Sequence, residues 1–114
     1  INMNNVTLIG MPGSGKSTIG VILAKALRYE FLDSDLLIQK QEKRKLSEII
    51  EQDGPEKFKE IENQVNADIH VTDTVIAPGG SVIYCEEAME HLKSIGKVYI
   101  LNYHWNLYPK DWEI

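Results

Sequence analysis

The residues best suited to chemistry in this chain lie near its amino terminus. Residues 10–17 read Gly-Met-Pro-Gly-Ser-Gly-Lys-Ser, which matches the phosphate-binding loop pattern G-x-x-x-x-G-K-[ST] at every fixed position. The glycines let backbone N–H groups turn toward a ligand, and a helix that begins here adds partial positive charge. Lys16 would reach the outer phosphates of a nucleoside triphosphate, and the Ser17 hydroxyl would coordinate Mg²⁺. A glycine-rich turn before an ordinary helix is the alternative.

Two carboxylates follow the second predicted strand. Residues 30–33 form a short run that ends in Asp33, and Asp35 comes two positions later. Ligands of open α/β sheets bind beyond the carboxyl ends of the strands, so this pair points toward the site that the loop marks. A period of two would aim both side chains in one direction. In the alternative, structural interpretation, Ser34 or Asp35 caps the helix that follows.

Two more pairs of residues could take part in binding. Gly79 and Gly80 follow the third predicted strand and can expose backbone N–H groups to a substrate, with a plain turn as the alternative. Lys59 and Glu62 lie off the apolar stripe of their predicted helix, three positions apart. On these residues alone, an exposed ion pair is the simplest interpretation.

Strands alternate with helices along the chain, which predicts an α/β fold with a parallel sheet. The predicted strands are residues 6–9, 30–33, 74–77 and 98–101. Helices are predicted after the loop, over 35–43, up to Gly54, from Pro55 onward, and over 86–95 with Gly96 as the terminator. The predicted buried faces are Ile19, Ile22, Leu23, Ala26 and Leu27; Leu46, Ile49 and Ile50; and Phe58, Ile61, Val65 and Ile69.

The last residues, 102–114, follow neither the helical nor the strand period. Four aromatic residues fall in this stretch: Tyr103, Trp105, Tyr108 and Trp112. The favoured interpretation is a tail whose aromatic side chains dock against the core, and an aromatic platform for a cofactor is the alternative.

Composition limits the class of protein. The 114 residues allow one domain, and 43% hydrophobic content is ordinary for a globular core. The formal net charge of −5 argues against nucleic acid as a partner, since no basic cluster stands out beyond residues 40–45, which Glu42 interrupts. A single cysteine, Cys85, rules out an internal disulfide, and no apolar run approaches the roughly 18 residues of a membrane span. The expected location is therefore the cytoplasm, with no membrane partner.

These features together resemble the shikimate kinase family. Seven residues stand at the spacings of that family's pattern: Phe31, Asp33, Asp35, Ile38, Gly54, Phe58 and Glu62. Residues 75–81 resemble its glycine-rich strand end. The resemblance covers residues 4–101 and implies a three-layer α/β/α P-loop kinase fold whose substrate-binding helices lie around residues 36–66. The predicted core is residues 3–101, and residues 102–114 form a tail of unclear role.

The resemblance also implies roles for individual residues. Asp33 lies near Mg²⁺ together with Ser17, and Asp35 accepts a hydrogen bond from the substrate hydroxyl that attacks the γ-phosphate. Catalysis is assigned to Lys16, Asp33 and Asp35. Substrate binding is assigned to Asp35, Lys59, Gly79 and Gly80. The nucleotide-binding set is Gly13, Ser14, Gly15, Lys16, Ser17 and Thr18.

Three departures from the family pattern are visible. Lys59 stands where the family usually has an arginine, and an ammonium cannot reproduce a planar two-point contact with a carboxylate. Ser81 replaces the third glycine, and Pro78 precedes the pair. The family's last strand and its arginine-bearing lid have no recognisable counterpart after Leu101.

The sequence thus predicts a monomeric, ATP- and Mg²⁺-dependent kinase of the shikimate kinase type. It would phosphorylate a hydroxyl of shikimate or of a similar small acidic metabolite. One alternative is another small P-loop kinase, acting on gluconate or on a nucleoside monophosphate. A second alternative, favoured by the missing lid arginines, is a nucleotide-binding module without turnover.

Overall fold

A computed structural model describes residues 4–10 and 16–101 of the chain. Its elements in order are β1 (Asn5–Gly10), α1 (Lys16–Leu27), β2 (Glu30–Asp33), α2 (Ser34–Glu42), α3 (Leu46–Asp53), α4 (Pro55–Ala67), β3 (Thr74–Ala77), a 3₁₀ helix (Gly80–Tyr84), α5 (Glu86–Ile95) and β4 (Gly96–Leu101). Every predicted strand and helix in this part of the chain is present. The aromatic residues predicted to dock a tail lie in 102–114, outside the described residues.

The four strands form one parallel sheet in the order β2-β3-β1-β4. This confirms the predicted α/β fold, since parallel neighbours require a crossover helix between them. Within 4–10 and 16–101 there is no counterpart of the fifth strand that the family resemblance implies. The two central strands, β3 and β1, are covered on both faces, which agrees with their continuous apolar sequence.

Alternate residues of the central strands divide the core between two faces of the sheet. Leu8 and Val75 pack with Ala24 of α1, whereas Ile9 and Ile76 pack in the cluster that α5 supplies. Because successive strand residues point to opposite faces, one sheet serves both helix layers. A third cluster, Ile38, Ile49 and Val65, joins α2, α3 and α4 into a small helical unit at one end of the sheet.

The buried face of α1 differs from the prediction. Ile22 is 63% exposed, and Ala26 and Leu27 are also exposed, whereas Gly20 and Ala24 are buried. A Cβ at Gly20 would lie 2.6 Å from the Phe31 ring, so the small residues one turn apart let the helix approach the sheet closely. Apolar spacing alone could not predict which face of α1 is buried, because the contact of this helix with the sheet depends on small side chains.

Two predicted boundaries also shift. Helix α4 ends at Ala67, so Ile69 does not continue its stripe and instead packs in the cluster beside α5. Gly96 ends α5 as predicted, and it is also the first residue of β4, two positions before the predicted start of that strand, where it pairs with Asn5. A Cβ at Gly96 would fall 2.1 Å from the Asn5 carbonyl oxygen, so this close strand approach requires glycine.

One buried polar side chain ties the amino ends of three strands together. Asn5 is 1% exposed, and its Nδ2 donates hydrogen bonds to the carbonyls of Val71 (2.8 Å) and Ile95 (3.1 Å). Its Oδ1 accepts one from the Thr74 N–H at 2.9 Å. The side chain thereby satisfies backbone groups at the starts of β3 and β4 that would otherwise be buried without partners.

No helix in the described part of the chain is long and apolar enough to cross a membrane.

Candidate functional site

The site is built where β2 and β3 end. Asp33 pairs with Ala77 in the parallel register, so the residues two positions farther along, Asp35 and Gly79, emerge side by side. They line a cleft of about 570 Å³ at the carboxyl edge of the sheet, which we call the edge cleft. Its polar lining is Asp35, Glu62, Gly79, Gly80 and Ser81. Its apolar wall is Leu46, Ile50, Phe58, Ile83 and Tyr84.

Two carboxylates converge at Gly79. A Cβ built there would lie 2.7 Å from Glu62 Oε2 and 3.0 Å from Asp35 Oδ1, so both oxygens occupy space that any other residue would fill. Glu62 is only 1% exposed. Its Oε1 accepts a hydrogen bond from the Ser81 hydroxyl at 2.7 Å. The surface ion pair considered for Glu62 is therefore wrong, because this carboxylate points into the fold.

Asp33 caps helix α2. Its Oδ1 accepts hydrogen bonds from the backbone N–H groups of Asp35 (2.9 Å) and Leu36 (3.3 Å). The prediction that Ser34 or Asp35 supplies the cap is wrong: Ser34 is buried inside the first turn, and its hydroxyl has no partner among the described residues. The prediction that a strand period of two aims Asp33 and Asp35 in one direction does not apply, because the strand ends at Asp33 and Asp35 lies in α2. The cap instead fixes the backbone from which Asp35 projects.

Gly79 and Gly80 lie in a turn and also line the edge cleft. Gly79 is buried in an extended conformation, and its carbonyl accepts a hydrogen bond from the Val82 N–H at 3.1 Å, which starts the 3₁₀ helix. Both glycines also line the edge cleft. The turn therefore carries backbone groups to the rim of the site.

Lys59 does not line the edge cleft. It is exposed on α4 and lines a neighbouring cleft of about 410 Å³ together with Asn63 and Cys85. Tyr84 lies in the wall of both clefts, so the two share a boundary. The structure thus brings Asp35, Gly79 and Gly80 together and leaves Lys59 on the far side of Tyr84.

Cys85 lies beneath the boundary between the clefts. Its Sγ is 4.0 Å from Glu62 Oε1. Burial raises the pKa of this thiol, and the negative charge of Glu62 adds to the effect, while Lys59 opposes it. The thiolate, which is the nucleophilic form, is therefore disfavoured at this buried position.

The phosphate-binding loop falls in a gap of the described structure. β1 ends at Gly10 and α1 begins at Lys16, so the predicted strand and helix flank the loop. Ser17 and Thr18 are exposed in the first turn of α1. Gly13, Ser14, Gly15 and the Lys16 side chain lie outside the described part, and their binding roles stay predictions.

A scan against protein families matches residues 12–108 to the shikimate kinase family. The chain belongs to this family. It is 42% identical over 100 residues to a shikimate kinase from Clostridium botulinum, a match that covers 87% of this chain and 60% of that protein. A shikimate kinase from Microcystis aeruginosa is 45% identical over 80 residues, which is 69% of this chain and 42% of the relative.

Solved shikimate kinases share the fold. The structure of the Acinetobacter baumannii enzyme in complex with shikimate superposes with a TM-score of 0.83 at 32% identity, over 95% of this chain and 64% of that one. The Aquifex aeolicus enzyme gives 0.74 at 33% identity, over 84% of this chain and 58% of the other. This shikimate kinase family chain therefore matches between 42% and 64% of the length of these four relatives.

The edge cleft contains features that the sequence reasoning missed. The burial of Glu62 and its contact with Ser81 were not predicted, nor was the apolar wall from Ile83 and Tyr84. A signal for Glu62 does exist in the sequence. Phe58, Glu62 and Asn66 are four positions apart on α4, and a polar residue that continues an inward-facing row is a candidate for a paired, buried group.

Proposed function

We propose that this protein binds Mg·ATP at residues 10–17 and transfers the γ-phosphate to a hydroxyl of shikimate. The observation that carries this proposal is the Asp35 carboxylate beside Gly79 in an open cleft at the carboxyl edge of the sheet. Family membership supports it, and so does the similarity to the Acinetobacter baumannii enzyme in complex with shikimate. A monomer in the cytoplasm is part of the same proposal.

On the nucleotide side, Lys16 and the loop amides bind the phosphates, with contacts from Gly13, Ser14, Gly15, Ser17 and Thr18. The donor set of Ser17 and Asp33 suits Mg²⁺, which prefers hydroxyl, carboxylate and water oxygens. Asp33 uses Oδ1 for the helix cap, so its Oδ2 is the oxygen assigned to the ion or its waters. When bound, the ion neutralises phosphate charge.

On the acceptor side, Asp35 accepts a hydrogen bond from the reacting hydroxyl and takes its proton as the hydroxyl oxygen bonds to the γ-phosphorus and the bond from that phosphorus to the leaving ADP breaks. Gly79 and Gly80 offer backbone groups at the lining of the cleft, because neither carries a side chain that would separate its backbone from the acceptor. The apolar wall of Phe58, Ile83 and Tyr84 packs against a ring face of the acceptor. A cleft with polar groups on one side and an apolar wall on the other suits a small cyclic molecule with hydroxyls on one side.

An acceptor panel tests the proposal. ADP release is followed with shikimate, gluconate and nucleoside monophosphates, and the product is weighed by mass spectrometry. We expect ADP release only with shikimate, together with a shikimate that has gained one phosphoryl group. Equal ADP release with and without every acceptor, or transfer to another acceptor of the panel, contradicts the proposal.

Nucleotide binding is tested through Lys16. ADP with Mg²⁺ at a hundred times its dissociation constant should stabilise the fold by about 2.7 kcal/mol, which is a melting shift of roughly 10 °C. Lys16→Ala should remove most of this shift in thermal unfolding. Lys25→Ala, an exposed lysine near the end of the same helix, is the matched control and should keep it. A full shift in the Lys16 variant would place the nucleotide elsewhere.

Lys59 remains a proposed contact for the acceptor carboxylate, although it lines the neighbouring cleft. If the carboxylate reaches past Tyr84, Lys59→Ala should weaken acceptor binding by roughly 10- to 150-fold, as a charged hydrogen bond of roughly 1.5–3 kcal/mol is lost. Lys59→Arg should strengthen binding, because a guanidinium offers two parallel donors. Calorimetric titration with shikimate measures both. The control is Lys57→Ala on the same helix, and identical affinities for all variants would exclude Lys59 from the site.

A further inference from the structure

We propose that Ser81 is a positioning residue that holds the Glu62 carboxylate in the orientation needed to bind the acceptor. The proposal rests on the proposed function and adds to it a residue that stands where the family has a glycine. Ser81 lies in the 3₁₀ helix next to the edge cleft and acts through Glu62 rather than on the reacting atoms.

The geometry gives each oxygen of Glu62 a separate neighbour. Oε1 accepts the Ser81 hydroxyl hydrogen bond at 2.7 Å, and Oε2 lies against Gly79, 2.7 Å from the position a Cβ would take there. A quarter turn about the last torsion of the glutamate would move both oxygens away from these neighbours and break the hydrogen bond, whereas a half turn restores the same contacts because the two oxygens are equivalent. The serine therefore selects one orientation of a group whose terminal torsion is otherwise broad.

That orientation matters because of the second carboxylate. Asp35 Oδ1 lies within 3.0 Å of the same point beside Gly79. Two carboxylates this close repel each other, and a hydrogen bond to one of them stabilises its charge and opposes displacement. With both in place, two acceptor oxygens are presented side by side at the floor of the cleft. An acceptor with two neighbouring hydroxyls can donate one hydrogen bond to each.

The Cys85 thiol also lies near Glu62 Oε1, but its Sγ is 4.0 Å away and a thiol is a weaker donor than the Ser81 hydroxyl. Ser81 itself is exposed, so removing its hydroxyl leaves no cavity. A loss of acceptor affinity in a serine variant would therefore report on Glu62 and not on the packing of the fold.

The contact is tested directly by the ¹³C signal of the Glu62 side-chain carboxyl, assigned with Glu62→Gln. We expect this signal to shift and broaden in Ser81→Ala, and to keep its position in Ser81→Thr, which retains the hydroxyl. Ser94→Ala is the matched control, since Ser94 is an exposed helix serine whose hydroxyl bonds only a backbone carbonyl. If Ser81→Ala fails to fold, Ser81→Gly removes the same hydroxyl. An unmoved Glu62 signal in the serine variant overturns the proposal.

The consequence for binding is measured by titrating shikimate in the presence of Mg·ADP. Ser81→Ala should raise the shikimate dissociation constant about tenfold, whereas Ser81→Thr and Ser94→Ala stay within about twofold of the parent. The nucleotide dissociation constant should not move, whereas the melting temperature should fall in Ser81→Ala because the buried Glu62 carboxylate loses a hydrogen-bond donor. Unchanged shikimate affinity in Ser81→Ala overturns the positioning role. Failure of the parent protein to bind shikimate is a different result, and it counts against the proposed function itself.

Discussion

Asp35→Asn will lower the rate of phosphoryl transfer by at least about 100-fold, because a positioned general base contributes roughly 10²–10⁴ to the rate. The amide keeps the size of the side chain but cannot take the proton of the attacking hydroxyl. Affinity for ATP should change by less than about twofold, since Asp35 faces Gly79 and the edge cleft. Steady-state ADP release and a nucleotide titration measure the two quantities.

Two further carboxyl variants make this result specific. Asp33→Asn should raise the Mg²⁺ concentration needed for half-maximal activity, while the amide still caps helix α2. Asp68→Asn is a matched control, because Asp68 is exposed beyond α4 and bonds only the Gln64 side chain and nearby backbone. Identical losses of rate and of Mg²⁺ dependence in the Asp33 and Asp35 variants would contradict the separate roles assigned to the two carboxylates.

Asn5→Ala will destabilise the fold more than other single polar truncations in the described chain. It leaves the Thr74 N–H and the carbonyls of Val71 and Ile95 buried without partners. We expect a loss of about 3–5 kcal/mol in the free energy of unfolding, measured by urea denaturation.

The control for Asn5 is Asn63→Ala. Asn63 Oδ1 accepts a single hydrogen bond, from the Ala88 N–H at 2.9 Å, at a partly buried position. Its truncation should cost about 1 kcal/mol. Equal midpoints for the two variants would show that the three contacts of Asn5 contribute no more than one.

Local signals were strong enough to predict the framework of the fold. Val6, Val75 and Val98 lie in short apolar runs that are typical of strands, and the residues between them carry helical spacing and helix ends. Pro55 at the first position of α4 is a local signal of the same kind. The loop pattern and the carboxylate after β2 then located the edge of the sheet where a ligand would bind.

The interior of the site could not be read in this way, because it depends on register between distant segments. Gly79 accommodates Asp35 and Glu62 only because Asp33 pairs with Ala77, and this pairing is set by the whole sheet. The hydrogen bond from Ser81 to Glu62 joins residues 19 positions apart. No periodicity or motif encodes such a contact, which appears only once the helices have packed.

Helix α1 shows a different limit of sequence reasoning. Its sequence is apolar around most of its circumference, so spacing could not decide which face is inward. Close approach to Phe31 selects the face that carries Gly20, and this leaves Val21 and Ile22 exposed. Steric fit decided the orientation where hydrophobicity was uninformative.

The most direct test of the central claim is to locate bound shikimate on the protein. In an ¹H–¹⁵N spectrum with Mg·ADP present, titration with shikimate should move the amide signals of Gly79, Gly80 and Asp35 in a saturable way. The amides of Asn63 and Glu86, which line the neighbouring cleft, should move less. Saturable shifts confined to that neighbouring cleft, or no shifts at all with nucleotide bound, would contradict the assignment of the edge cleft as the acceptor site.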